Sequence, residues 1–323
     1  MTRRRSFLFA CGALAVGAMR HTAAQARVYR VASLSISTRD SPQFVALLRR
    51  FRELGHVEGK NFALDARFLK GDWLEAPKIA AQLAAARPDV AMAFGSELIV
   101  RACRQAIGPT PLVMIAVDFD PVEKNYIASL SRPGGNITGV YFRQIESAVK
   151  RLELLREALP HVRRVAALFD LSTRDQLEAV AQAAAKLGIS LLPQQLSSAP
   201  YDFDAALQAA AAAKAQAVMA LSSGAFFGPR QRWIATAREL RLPVIANPNY
   251  AEAGALIAFG ASFPHMYARA AEYADRILKG AKPSEMPVEQ PSQYELVVNQ
   301  KTARALDINL TPAVLLRATR VIE

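Results

Sequence analysis

Residues able to do acid–base, nucleophilic or metal chemistry are thinly spread along this chain. There is no G-x-S-x-G turn to raise a serine nucleophile, no H-E-x-x-H pair for zinc and no C-x-x-C. Past the first 26 residues the histidines are His56, His161 and His265, too far apart to form a local metal pattern. The run Gly55-His56-Val57-Glu58-Gly59-Lys60-Asn61 resembles a phosphate loop, but it is one residue short and ends in Asn rather than Ser or Thr. It reads as a helix stop and a turn. Asp118 and Asp120 could share acid–base work, yet two residues apart and beside Pro121 they as readily make a turn. Neither turnover nor a cofactor or metal is expected.

A second set of residues suits binding rather than reaction. It comprises Ser37 and Asp40; Gly95 and Ser96; Asp118; Tyr141; Asp170 and Ser172; Ser223; and Asn247 and Tyr250. Hydroxyls, amides, carboxylates and small residues can hold the carboxylate or hydroxyls of a small polar solute, and glycine lets it approach backbone N–H groups. Taken singly, each of these residues reads first as a cap or turn residue. Phe119, Tyr141 and Tyr250 either stack on an apolar part of the solute or pack between lobes.

What unites the set is position, because each member lies at or just past the end of a short β-rich run. Such runs alternate with amphipathic ones: strands at 28–35, 62–68, 90–94, 112–117 and 137–141, with helices at 42–54, 74–86 and 97–106 between them. The cycle then restarts. Helices at 146–159, 175–187, 202–213 and 229–240 alternate with strands at 164–169, 189–194, 217–221 and 243–246. Ser41 with Pro42 opens the first helix, and Gly55 and Gly188 follow helix ends. The alternation predicts an α/β protein of two doubly wound parallel-sheet lobes, in which ligands bind outside the carboxyl ends of the strands. After residue 257 come a long helix at 264–278, an extended stretch at 286–291, a strand at 294–298 and a helix at 301–306. So short a tail fits badly on one lobe, and it predicts that the chain returns to the first lobe and crosses again.

The first 26 residues read as an export signal: Arg3, Arg4 and Arg5, then an apolar run at 7–19, then Ala24-Gln25-Ala26 as a cleavage pattern. The run is too short to span a bilayer. Arg4-Arg5-Ser6-Phe7-Leu8 also fits the twin-arginine pattern, so general and twin-arginine export both stand. Removing the signal leaves 297 of 323 residues, ample for two domains, and four of its arginines account for a fall in net charge from +12 to +8. The remaining basic residues are spread over helical faces, without a block interleaved with aromatics, so no nucleic-acid partner is expected. Cys103 alone remains after cleavage and reads as a buried small hydrophobe.

Several segments together resemble one family, the ABC-transporter substrate-binding proteins of the tryptophan/tyrosine-type group. They are Asp118-Phe119-Asp120-Pro121-Val122 and the run Ser129-Leu130-Ser131-Arg132-Pro133-Gly134-Gly135-Asn136-Ile137-Thr138-Gly139, with further blocks at 150–155, 251–254, 277–283, 287–291 and 298–303. The resemblance spans the chain beyond residue 26. It implies the type I periplasmic-binding fold with a three-strand hinge, a solute held in the cleft and an ABC permease in the inner membrane as partner. Lobes are expected at 27–141 with 262–285 and at 142–261 with 286–323. A periplasmic monomer that captures an amino acid or similar carboxylate is the expected function, and a sensor signalling to a membrane kinase is the alternative. Phe169-Asp170-Leu171 departs from the family's usual asparagine-proline turn, and Phe259 stands where tyrosine is frequent.

Overall fold

The computed structural model describes residues 27–69, 73–197 and 200–323, so the export signal expected at 1–26 lies outside the described residues. Its first half runs β1 (Tyr29–Ser35), α1 (Pro42–Glu53), β2 (Phe62–Phe68), α2 (Ala76–Ala85), β3 (Val90–Gly95), α3 (Glu97–Ile107), β4 (Leu112–Val117) and β5 (Ile137–Phe142). These five strands form one parallel sheet in the order β2-β1-β3-β4-β5. β3 and β5 are buried along their whole length, as strands covered on both faces must be.

The second half runs α4 (Ile145–Ala158), β6 (Arg164–Phe169), α5 (Arg174–Leu187), β7 (Ser190–Gln195), α6 (Phe203–Ala212), β8 (Ala217–Ala220), α7 (Arg230–Glu239), β9 (Val244–Ala246) and β10 (Ile257–Ala261). After α8 (Phe263–Leu278) come β11 (Tyr294–Asn299), α9 (Gln300–Ala305), α10 (Pro312–Arg317) and β12 (Arg320–Ile322). The second sheet has the order β12-β11-β10-β9-β8-β6-β7, in which β7-β6-β8-β9-β10 repeats the winding of the first sheet. β11 pairs antiparallel with β10, and β12 extends the sheet beyond it. Pro193 lies in β7, at the sheet edge, where a missing N–H is tolerated.

Local signals account for the helices. The Ser41 hydroxyl accepts from the Phe44 N–H at the start of α1, and Phe44, Leu47 and Phe51 bury one stripe of it. That stripe meets α8, so a helix late in sequence closes the core of the first lobe with Met266, Ala270, Ala274 and Ile277. α2 and α3 cover the opposite face of the sheet. The helix expected from residue 74 begins at Ala76 after a short 3₁₀ turn, with Pro77 in its first turn. In the second lobe α4 and α5 cover one face; α6 and α7 cover the other with Phe203, Leu207, Trp233 and Ile234. The C-terminal α10 and β12 have no counterpart among the sequence expectations, which end at residue 306.

The chain passes between the two sheets three times, after β5, after β10 and before β11. The stretch entering the third pass stays with the first lobe longer than the sequence division at 285/286 has it. Val288 N–H donates to the Leu130 carbonyl at 2.7 Å, and Glu289 exchanges backbone hydrogen bonds with Gly139 and Tyr141 beside β5. Met286 and Val288 accordingly pack into first-lobe cores.

Candidate functional site

Both sheets point their carboxyl ends at one cavity of about 330 Å³, at the small end of the range for small-molecule sites, about 300–1,000 Å³. From the first lobe, Ser37, Ser96 and Asp118 line it just past β1, β3 and β4. From the second, Ser172, Ser222, Ser223, Asn247 and Tyr250 line it past β6, β8 and β9. Apolar surface comes from Ile36, Leu98, Phe119, Phe227 and Phe263. The lining thus combines hydroxyl, amide and carboxylate groups with aromatic and aliphatic surface.

On the first-lobe side, the Ser37 hydroxyl lies 2.9 Å from that of Ser35, and Ser35 lies 2.9 Å from the Tyr267 hydroxyl. Gly95 is buried with φ +138°, in the region that favours glycine, and lets β3 turn directly into α3. Ser96 then occupies the N-cap of α3 without capping it, and its buried hydroxyl has no hydrogen-bond partner. An unpaired hydroxyl at a helix N-terminus is suited to an anionic oxygen. Asp118 has φ +61°, and its carboxylate accepts from the Gln144 backbone N–H and from Gln144 Nε2, each at 2.8 Å. Burial raises its pKa from 3.8 to about 6, partly offset by the two Gln144 hydrogen bonds.

On the second-lobe side, Asp170 lies behind the cavity wall and does not line it. Its carboxylate accepts from the Ser172 N–H and hydroxyl, the Tyr201 hydroxyl and the Ser223 hydroxyl. Asn247 Oδ1 accepts from the Asn249 N–H at 3.1 Å, fixing the turn that carries Tyr250. The Tyr250 ring rests against Trp233 and Phe227, and burial holds its hydroxyl pKa above the ordinary range.

Of the other strand-end residues, Asp40, Gly95 and Tyr141 do not line the cavity. Asp40 lies on the exposed loop before α1. Tyr141 points its ring into the core beneath α2 and α3. Gln43, Glu97, Gln144, Phe227, Phe263 and Tyr267 do line the cavity and are absent from the sequence-derived set. Phe263 follows β10 closely enough for the strand-end rule to have found it, whereas Tyr267 sits a turn into α8 and has no such signal.

Arg151 also escapes the rule. It lies within α4 with no exposed surface, donates to Ser222 Oγ at 2.9 Å and to the Phe259 carbonyl at 3.2 Å, and leaves its Nε–H unpaired. Burial lowers its pKa to about 10, so it remains a cation at neutral pH. Among the described residues, no His/Cys/Asp/Glu group could hold a metal ion.

Two doubly wound lobes, joined by three passes around a cleft, define the architecture of a periplasmic binding protein. A family model, ABC transporter substrate binding protein, matches residues 46–322. The chain belongs to that family, whose members bind solutes rather than transform them. It is 23% identical over 265 residues to the tyrosine-binding protein of Clostridioides difficile strain R20291, covering 81% of this chain and 75% of that protein. The crystal structure of a conserved domain protein from Vibrio cholerae O1 biovar El Tor superposes with TM-score 0.80 at 28% identity, over 91% of this chain and all of that one. A Streptococcus pneumoniae ABC domain in complex with L-Trp superposes with TM-score 0.78 at 21% identity, over the same shares.

Proposed function

We propose that this substrate-binding protein takes up an α-amino acid or closely similar carboxylate between its lobes and delivers it to an ABC permease in the inner membrane. The supporting observation is the convergence of Ser37, Ser96 and Asp118 with Ser172, Ser222, Ser223 and Asn247 around one cavity of amino-acid size. The unpaired Ser96 hydroxyl and the buried Arg151 cation favour an anionic group on the solute. Asp118 favours a cationic one. Phe119, Phe227, Phe263 and Tyr250 suit an aromatic or large apolar side chain. The tyrosine and L-Trp named for two relatives agree with that chemistry. Export by residues 1–26 places the receptor in the periplasm, where it works as a monomer without a cofactor. Binding shifts the lobes toward a closed form that the permease recognises.

A thermal-shift screen of the purified protein over amino acids, small carboxylates and nucleosides tests this reading. An α-amino acid with a large side chain should raise Tm most. Stabilisation by nucleosides alone would overturn the assignment.

A further inference from the structure

Three serines on the second-lobe side of the cavity have hydroxyls whose roles are already fixed. A hydroxyl offers one proton and two lone pairs, a guanidinium only protons, and a carboxylate only lone pairs. Ser222 Oγ accepts from Arg151 Nη2 at 2.9 Å, so its own proton remains to be donated elsewhere. Ser172 Oγ donates to Asp170 Oδ1 at 2.6 Å, and Ser223 Oγ donates to Asp170 Oδ2. Their protons are therefore committed, and lone pairs remain. Ser223 also accepts from the Ala225 N–H at 3.2 Å, which leaves it one lone pair.

All three serines line the cavity, while Arg151 and Asp170 lie behind them. Asp170 is satisfied by the donors around it. Arg151 is not: it bonds to two neutral oxygens, its Nε–H is unpaired, and among the described residues no carboxylate lies within salt-bridge distance of it. A desolvated cation in that condition is costly unless an anion approaches. Ser222, which both bonds Arg151 and lines the cavity, connects that cation to the site.

We propose that Arg151 and Asp170 are positioning residues that fix a donor at Ser222 beside acceptors at Ser172 and Ser223, and so select a solute head carrying an anionic oxygen and a cationic N–H group side by side. The assignment rests on the reading under Proposed function and adds an orientation to it. The α-carboxylate lies at Ser222, over Arg151. The α-ammonium lies at Ser172 and Ser223, with Asp118 of the facing lobe as a further acceptor. A solute lacking either half leaves a buried donor or acceptor unpaired, the condition under which binding sites discriminate most sharply.

The test is a calorimetric titration of the full chain with L-tyrosine or L-tryptophan, whichever binds, and with its decarboxylated amine and its deaminated acid. Wild type should prefer the amino acid to each analogue by about 100-fold or more. S222A should lose about tenfold or more for the amino acid but little for the amine, shrinking that ratio while the ratio to the deaminated acid holds. The S172A/S223A double variant should do the reverse. R151K should retain most of the preference for the carboxylate, and R151M should behave as S222A; where R151M does not fold, the serine variants decide. Ratios unchanged in both serine variants overturn the polarity assignment alone. Failure of wild type to bind any α-amino acid overturns the underlying reading, and the assignment with it.

Discussion

At Asp118 the backbone enters the left-handed region, φ +61°, where asparagine is more at ease than most residues, and the side chain is a buried carboxylate with a pKa near 6. Both features weigh on the ligand-free protein. A carboxyl whose folded value lies above its unfolded one contributes stability below the unfolded value, near pH 4, and loses it as pH rises through about 6. D118N should therefore raise the stability of the ligand-free protein at pH 7 by roughly 1–3 kcal/mol, read as an increase in Tm that vanishes near pH 4. Binding has the opposite sign. A solute ammonium needs the ionised carboxylate, so wild-type affinity should fall as pH drops below about 6, approaching about tenfold per unit, and D118N should bind weakly with no such slope. Calorimetry from pH 5 to pH 8 reads both. Asp118 was legible in sequence because it follows a strand, as were Ser37, Ser96, Ser172, Ser223, Asn247 and Tyr250, all of which line the cavity. Arg151 was not. A basic residue in an amphipathic helix reads as solvated, and only the packing of α4 against β10 shows it sealed beneath the second lobe.

Gly139 in β5 shows what a sequence motif can mean at the scale of an element. Its φ is +138°, and a Cβ there would lie 2.0 Å from the Met114 carbonyl oxygen of β4. The Gly139 carbonyl also accepts from the Glu289 N–H, so the same residue abuts β4 and the stretch that leads to the third pass. G139A should force β5 off β4 and destabilise the first lobe by roughly 3 kcal/mol or more, seen as a large drop in Tm or loss of soluble protein. Strands and helices with ordinary periodicity and caps were readable: Ser41 caps α1, and Gly188 ends α5 in the left-handed conformation. β12 was not, because three residues are too few to carry a period. Residues 286–289 misled for a related reason: an extended stretch does not say which sheet it runs beside, and hydrogen bonds to Leu130, Gly139 and Tyr141 decide it.

Across the whole molecule, the two sheets share one winding order, and the cleft between them is framed by three short passes. Contacts near the first pass include Asp118 with Gln144 and Arg143 with Asp175 at 2.8 Å; near the third, Arg269 pairs with Glu289. Small-angle scattering should show a smaller radius of gyration with saturating amino acid than without, and an unchanged radius would mean that solute binds without closure. The alternation of strands and helices made this architecture readable from sequence. The return of α8 to the first lobe was readable only indirectly, because a helix carries no mark of the sheet it covers. If the cleft is a receptor site for an α-amino acid, isothermal titration of L-tyrosine and L-tryptophan into the chain should reveal it. One saturable site per chain for at least one of them, weakened by replacing Asp118, is the expected result; no saturable binding of any α-amino acid would overturn the reading.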